Sequence, residues 1–117
     1  MKNKFIVIFL ATITANTSSL NLYADVSQAR QPVLMYLLRQ DCGSCHGMTL
    51  KGGLGPALLA DNLKDKTDEM LIHTILEGRP GTPMPPWKSE LSYDDAAWLV
   101  KLLRSGDKEK ENANERE

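Results

Sequence analysis

The sequence of 117 residues predicts an all-α domain, and three observations lead to that class. Residues 28–41, 67–78 and 92–106 each place apolar side chains at helical spacing. No stretch alternates apolar and polar residues as a half-buried strand would. The segments between the helices are long and rich in glycine or proline, whereas an unliganded bundle of this size uses short connections. We therefore expect three principal helices and long loops around a bound group that replaces part of the core.

The first helix is expected to begin within residues 28–31 and to run into Asp41. Pro32 is compatible only with the first turn of a helix, which sets this start. Glycines and the loss of periodicity predict a loop over residues 43–55, followed by a short helix over residues 56–63 that begins at its proline. The apolar stripe of the first helix consists of Val33, Leu34, Leu37 and Leu38.

The second helix has clear signals at both ends. Thr67 is a suitable N-cap, and Asp68 and Glu69 place negative charge at the positive end of the helix dipole. Gly78 and Pro80 end the helix. Its apolar stripe consists of Leu71, Ile72, Ile75 and Leu76.

The third helix is equally well marked. Ser92 is its predicted N-cap, Asp95 follows three residues later as in a capping box, and Gly106 terminates the helix. Residues 79–87, which precede it, contain four prolines and one glycine, and this composition predicts a stiff, irregular loop. The apolar stripe of the third helix consists of Ala96, Leu99, Leu102 and Leu103.

The N-terminus has the organisation of a signal peptide. Two lysines precede an apolar run over residues 5–15, which is shorter than the roughly 20 residues that a membrane anchor needs. We expect export and cleavage after Ala24, with cleavage near Ala15 as the alternative. The expected division of the chain is a signal peptide over residues 1–24, a folded domain over 25–106 and a charged, disordered tail over 107–117.

Export places the mature chain in an oxidising compartment such as the bacterial periplasm. The residues after Ala24 include 12 basic and 15 acidic side chains, which gives a net charge of −3. Nucleic-acid binding requires clustered lysines and arginines, so this composition argues against that class of function. We expect a monomer without stable membrane insertion.

Cys42 and Cys45 are the two cysteines of the chain, and His46 follows directly. A redox dithiol of the thioredoxin type needs a strand, a turn and a helix, whereas here a helix precedes the pair and a glycine loop follows it. A structural zinc ion needs four tetrahedral ligands, and adjacent Cys45 and His46 point in different directions. Attachment of haem through a Cys-x-x-Cys-His motif accounts for the whole pattern.

The order of residues in this motif has a physical reason. The two thiols add to the two vinyl groups on one side of the porphyrin, and the two intervening residues let the backbone turn to reach both. His46 then lies under the ring centre with its imidazole toward the iron. We expect one haem c per chain, bound covalently through Cys42 and Cys45, with His46 as one axial ligand.

The second axial ligand must reach the iron from the opposite face, so the chain has to wrap around the haem edge. Met84 is the favoured candidate, because it lies 38 residues after His46 in the proline-rich loop, between Pro83 and Pro85. His73 in the second helix, or an open or labile sixth site, stays as an alternative.

Three motifs, CGSCH, GGLGP and GTPMPPW, together with a leading and a closing helix, resemble those of class I c-type cytochromes. The resemblance covers essentially all of the mature chain to Gly106. It implies the class I cytochrome c fold, in which the first and last helices cross and pack residues 33–38 against residues 99–103. It also implies that the carbonyl of Pro56 binds the ring of His46, which would fix the ring and raise its basicity as a ligand.

The longer combination of CHGMTLKGGLGPALL with ILEGRPGTPMPPW is similar to the small monohaem cytochrome that accompanies cytochrome-cd nitrite reductase in denitrifying bacteria. This resemblance implies a periplasmic carrier that transfers single electrons by an outer-sphere route and is not an enzyme. The implied partners are nitrite reductase and an upstream electron donor. One alternative is a redox factor in maturation of the d-type haem of that reductase. Another is a small haem enzyme or gas sensor in which Met84 leaves the iron.

His/Met ligation closes both axial positions, which favours the carrier. A partner is expected to dock where the haem edge is exposed. Trp87 is expected either to pack on the haem or to belong to this surface, since large aromatic side chains usually pack. The other residues expected at the docking surface are Pro83 and Pro85, with Arg79, Lys51 and Lys88 orienting the encounter.

Overall fold

The structure is a computed structural model that describes residues 26–106. Its elements are α1 (Gln31–Leu37), a π-helical segment (Leu38–Cys42), α2 (Gly43–His46), α3 (Ala60–Leu63), α4 (Asp68–Glu77) and α5 (Tyr93–Ser105). The described residues contain no β-strand, so the all-α class is confirmed. None of the helices in this part of the chain is long and apolar enough to cross a membrane. The predicted signal peptide and C-terminal tail lie outside the described residues.

The first helix is longer than predicted, because α1, the π-helical segment and α2 follow one another without a break. The prediction of a loop beginning at Gly43 was wrong. Gly43 has helical dihedral angles, φ −60° and ψ −29°, and its N–H donates to the carbonyl of Leu38, as in the wide turn of a π-helix. One glycine costs a helix only about 1 kcal/mol. Cys42, Cys45 and His46 consequently lie on a helix.

The short helix over residues 56–63 was predicted to begin at Pro56, and this prediction was also wrong. The helix begins at Ala60, because the preceding backbone makes other contacts. The carbonyl of Pro56 lies 2.6 Å from Nδ1 of His46, and the N–H of Leu58 donates to the carbonyl of Leu50 at 2.9 Å. These contacts hold the segment against the end of α2.

Helices α4 and α5 confirm the predicted start and stop signals. Thr67 caps α4 by accepting a backbone N–H at 3.2 Å, and Gly78, with φ 70°, ends that helix. Ser92 and Asp95 form the predicted capping box of α5, in which each side chain accepts a backbone N–H of the other residue at 3.1 Å. Gly106 ends α5. Local sequence therefore marks where both helices begin and end.

Helix α5 carries the main core contacts. Leu99 packs in one cluster with Leu34 of α1, and Ala96 packs in a second cluster with Ile72 of α4. The predicted packing of the first helix against the last is therefore confirmed for Leu34, which is fully buried. The prediction that Val33 packs there too was wrong, because Val33 is 49% exposed on the outer side of α1. The buried residues of the two clusters are Val26, Leu34, Leu38, Leu91 and Leu99 in the first, and Ile72, Ala96 and Val100 in the second.

Two arginines attach the ends of α5 to distant parts of the chain. At its start, Arg30 Nη2 lies 3.0 Å from Oδ2 of Asp95 and also donates to the carbonyl of Glu90. The hydrogen bond from Arg30 holds the pKa of the Asp95 carboxyl below its usual range. At the other end, Arg104 Nε lies 2.5 Å from Oδ1 of Asp68, and the guanidinium also donates to the carbonyl of Leu63. These contacts fix α3 and α4 relative to α5.

Candidate functional site

A cavity of about 860 Å³ lies between the end of the first helix, α4, α5 and the loops over residues 47–56 and 78–87. Its volume falls in the range of cofactor pockets, roughly 300–1,000 Å³, and most of its lining is apolar. Residues from distant parts of the sequence meet here. All five predicted site residues line the cavity: Cys42, Cys45, His46, Pro56 and Met84.

Two thiols lie on one wall of the cavity. Cys42 and Cys45 are half-buried free thiols at the end of the first helix. Burial raises the pKa of the Cys42 thiol to about 11, and the negative charge of Asp41 adds to this rise. The Cys42 thiol is therefore uncharged at neutral pH, which suits an apolar wall.

The imidazole of His46 has a defined proton arrangement. Its Nδ1 lies 2.6 Å from the carbonyl oxygen of Pro56. Because a carbonyl only accepts hydrogen bonds, Nδ1 must carry the proton in this contact. The lone pair of Nε2 is then available for a metal ion, as in histidine ligands oriented by a backbone carbonyl.

The loop over residues 47–56, which we call the proximal loop, folds back onto the end of α2. The N–H of Gly52 donates to the carbonyl of His46, and the N–H of Gly55 donates to the carbonyl of Cys45, each at 2.8 Å. These bonds satisfy carbonyls that a helix end leaves without partners. The helix that carries the thiols and imidazole is thereby joined to the loop that carries Pro56.

The loop over residues 78–87, which we call the distal loop, holds Met84 at the cavity. The carbonyl of Met84 accepts from the N–H of Arg79 at 3.1 Å. The N–H of Met84 donates to Oγ1 of Thr82 at 3.3 Å. The Thr82 hydroxyl in turn donates to the carbonyl of Arg79 at 2.7 Å. The N–H of Trp87 donates to the carbonyl of Ile75 at 3.1 Å, which attaches the loop to α4.

The structure separates the residues that were expected to orient a partner. Arg79 lines the cavity, as do the flanking prolines of Met84 and the half-buried Trp87. Lys51 does not line the cavity, and Lys88 instead forms an exposed ion pair with Glu77 at 2.8 Å. The hydrogen bond from Lys88 lowers the pKa of Glu77.

His73, the alternative axial ligand, lies away from the cavity. It is exposed on α4 and lines a separate groove of about 250 Å³ with Glu69, Glu77 and Tyr93. Within residues 26–106, no group of three or more His, Cys, Asp or Glu side chains is arranged to hold a metal ion. The described part of the chain thus contains no ready ligand set for zinc.

Sequence reasoning missed part of the cavity wall. Leu71 and Ile75 were assigned to the core stripe of α4, but with Met70 and Thr74 they also line the cavity. It also missed Thr82, although a hydroxyl close to a methionine in a loop with few N–H donors was a usable signal. No sequence signal reported the contact between the Gly55 backbone and the ring of His46.

These residues fit a covalently bound haem. The walls are mainly apolar, two thiols lie close together on one helix, and one imidazole presents a free nitrogen. A thioether from a distant loop lines the same cavity. An all-α fold with this donor set defines the class of c-type cytochromes.

A family model described as "Cytochrome C oxidase, cbb3-type, subunit III" matches residues 32–103. The chain belongs to this family of c-type cytochromes, whose cofactor is covalently bound haem c and whose function is electron transfer. The resemblance found in the sequence is therefore confirmed, and so is the expected cofactor.

Two relatives make the similarity more specific. Cytochrome c55X of Pseudomonas aeruginosa is 59% identical over 78 residues, which cover 67% of this chain and 66% of that protein. The chain thus spans just under two thirds of that relative's length. The solved structure of a c-type cytochrome NirC is 56% identical with a TM-score of 0.67, and the match covers 68% of this chain and 94% of that one.

A third similarity is to part of a much larger protein. Dihydro-heme d1 dehydrogenase of Pseudomonas aeruginosa is 38% identical over 76 residues. The match covers 65% of this chain and only 15% of that protein. That protein therefore contains a segment similar to this cytochrome, and most of its length lies outside the match.

Proposed function

We propose that this chain is a periplasmic monohaem cytochrome that carries single electrons by outer-sphere transfer. The observation that carries the proposal is that Cys42, Cys45, His46 and Met84, which come from two separate segments, line one apolar cavity. A chain that anchors a redox group and also fills both of its axial positions has no coordination site for a substrate.

In this proposal Cys42 and Cys45 form the thioether bonds, and His46 and Met84 are the axial ligands. The bound haem supplies an iron that takes up and releases one electron. The Pro56 carbonyl holds the Nδ1 proton of His46, which directs Nε2 toward the metal. The Arg79 N–H and the Thr82 hydroxyl hold the backbone on both sides of the Met84 side chain.

Ligand binding tests the carrier against a gas sensor or a small haem enzyme. The ferric holoprotein is expected to show the weak far-red band of methionine sulfur on iron, and the ferrous holoprotein is expected to bind carbon monoxide only slowly at neutral pH. Met84→Ala is the matched control, because it should lose the band and bind carbon monoxide at once. Rapid binding by the unmodified protein would contradict the carrier function and favour the sensor.

We further propose cytochrome-cd nitrite reductase as the electron acceptor, supplied through this protein by an upstream donor. The support is the resemblance of the motifs around Cys42 and Met84 to the small cytochrome that accompanies that reductase. The expected docking surface is the mouth of the cavity at Pro83, Pro85 and Arg79, where apolar contact surrounds one cation.

A second candidate function is redox support for maturation of the d-type haem of the same reductase. The similarity to dihydro-heme d1 dehydrogenase favours it, because a related segment is fused there to an enzyme whose name includes that haem. Deletion of this chain separates the two functions. Reductase purified without d haem would support maturation, whereas complete reductase with slow nitrite reduction in cells would support the carrier.

We also propose that residues 1–24 are removed on export, that residues 25–106 form the cytochrome domain and that the protein is a monomer. The apolar run over residues 5–15, with lysines before it, supports the export signal. The intact mass of the periplasmic protein tests the boundary, since cleavage after Ala24 leaves Asp25 as the first residue. A mass that includes residues 16–24 would instead place the cut near Ala15.

A further inference from the structure

The backbone at Gly55 lies directly against the imidazole of His46. A Cβ atom built on Gly55 would lie 2.8 Å from both Cε1 and Nδ1 of the ring and 3.3 Å from Nε2. Carbon atoms in proteins make contacts at about 3.5–4.0 Å, so no side chain fits there without moving the ring. The Gly55 backbone is therefore a wall against one side of the imidazole.

This wall restrains a motion that the hydrogen bond to Pro56 leaves free. The contact of 2.6 Å between Nδ1 and the Pro56 carbonyl fixes where the N–H points. The ring turns about its Cβ–Cγ bond, and one hydrogen bond leaves part of that rotation free, because a carbonyl accepts over a broad range of orientations. A backbone segment packed against the ring blocks the rotation toward it.

The wall itself is anchored to the helix that carries the ring. The N–H of Gly55 donates to the carbonyl of Cys45 at 2.8 Å, and the carbonyl of Gly55 accepts from Gly53 at 3.0 Å. The N–H of Gly52 donates to the carbonyl of His46 itself at 2.8 Å. Because these bonds join the loop to the carbonyls of Cys45 and His46, the loop backbone and the ring keep a fixed relation.

We propose that Gly55 is a positioning residue that sets the plane of the His46 imidazole relative to the porphyrin. This inference rests on the proposed role of His46 as an axial ligand. Two d orbitals of the iron overlap with an axial imidazole, and the orientation of the imidazole plane sets the energy difference between them. This energy difference governs the g values of low-spin ferric haem and the pattern of paramagnetic shifts on the porphyrin. Both measurements therefore report the orientation of the imidazole.

The test compares Gly55→Ala with Gly106→Ala in the ferric holoprotein. Gly106→Ala is the control for lost stability, because Gly106 ends α5 with φ 61°, which a side chain strains, and nothing lies within 4 Å of an added Cβ there. Gly55→Ala is expected to shift the g values and the paramagnetic haem shifts while the far-red methionine band remains. Gly106→Ala is expected to lower stability and leave the g values in place. Unchanged g values in Gly55→Ala, or equal shifts in both variants, would overturn the proposal.

A measurement on the unmodified protein covers the case in which Gly55→Ala does not fold. Nuclear Overhauser effects are expected between the α-protons of Gly55 and the Cε1 proton of His46 in the ferrous holoprotein. Absence of this contact would overturn the positioning role. A holoprotein without a low-spin signal would overturn the ligand assignment and this inference with it, whereas intact low-spin spectra with no effect of Gly55→Ala overturn the role of Gly55 alone.

Discussion

The two loops that meet at the cavity differ in how their backbones are held. The proximal loop contains four glycines, and its backbone approaches the end of α2 so closely that a Cβ on Gly47 would lie 2.6 Å from the carbonyl oxygen of Gly52. The distal loop contains four prolines, which have no N–H, and it depends on a few hydrogen bonds around Met84. Close approaches of this kind hold the proximal loop, whereas the distal loop combines one close approach, at Gly78, where a Cβ would lie 2.7 Å from Pro85 and Pro86, with the restricted dihedral angles of its prolines.

This difference indicates where each proposed ligand is vulnerable. His46 lies beside backbone that has no free space, so added atoms should disturb it most. Met84 lies in a loop whose four prolines donate no hydrogen bonds, so loss of one of its few hydrogen bonds should disturb it most. Five predictions test this contrast, in order of expected effect.

Gly47→Ala is expected to have the largest effect. Gly47 has φ 90° and ψ 141°, a conformation that costs other residues about 1–3 kcal/mol, and its added Cβ would overlap the Gly52 carbonyl. We expect a loss of about 3 kcal/mol or more in denaturant unfolding of the holoprotein. Gly81→Ala in the distal loop is the control, because Gly81 has a similar φ of 78° but nothing within 4 Å of an added Cβ. Equal losses at the two glycines would show that close packing does not distinguish the loops.

Asp95→Asn is expected to destabilise the helices that carry both loops. The change removes the charge that pairs with Arg30 and weakens the capping box of α5, and we expect a loss of about 1–2 kcal/mol at neutral pH. Because both loops attach to the same set of helices, the far-red methionine band should persist at all denaturant concentrations below those that unfold the protein. Early loss of that band in this variant would mean that the distal loop depends on the start of α5.

The same carboxyl gives a pH dependence with a defined sign. Arg30 holds the folded pKa of Asp95 below its ordinary value of 3.8, so folding favours the charged form. This contribution is complete above the ordinary value and is lost as pH falls through it toward the lower folded pKa. The stabilities of the unmodified protein and of Asp95→Asn should therefore converge in acid, as measured by denaturant unfolding from pH 7 down to pH 3. A constant difference over that range would contradict the assignment.

Thr82→Val is expected to loosen the distal loop alone. It removes the acceptor for the Met84 N–H and the donor to the Arg79 carbonyl, at a cost of about 1 kcal/mol. The far-red band should then disappear at a lower urea concentration than haem exposure, which absorbance in the Soret region reports. Thr82→Ser keeps the hydroxyl and should restore the band. If valine has no effect on it, the proline rings hold Met84 without help from this side chain.

Lys88→Gln is expected to have the smallest effect. The ion pair between Lys88 and Glu77 lies at the exposed end of the distal loop, where solvent screens the charges. We expect no measurable change in unfolding or in the far-red band. A clear loss of stability would show that the distal loop needs this pair as well as its backbone contacts.

The sequence predicted some parts of the molecule better than others. The ends of α4 and α5 follow from Thr67, Gly78, Ser92 and Gly106, because caps and terminators act within a few residues of themselves. The first helix was predicted too short, because a buried Gly43 in a π-helical turn continues it into α2. Helix α3 was predicted too long, because the Pro56 carbonyl bonds to His46. Both errors come from contacts that a local window does not contain.

By itself the sequence determined the fold class and the covalent cofactor, and it singled out the residues that we propose to hold it. These follow from helical spacing and from the chemistry of Cys42, Cys45 and His46, which are neighbours in the chain. The tertiary structure alone decided that Met84 lines the same cavity as His46, that α4 forms part of its wall and that Gly55 lies against the imidazole. The physical reason is distance along the chain, since short segments encode hydrogen bonds and caps, whereas a cavity exists only after remote segments have packed.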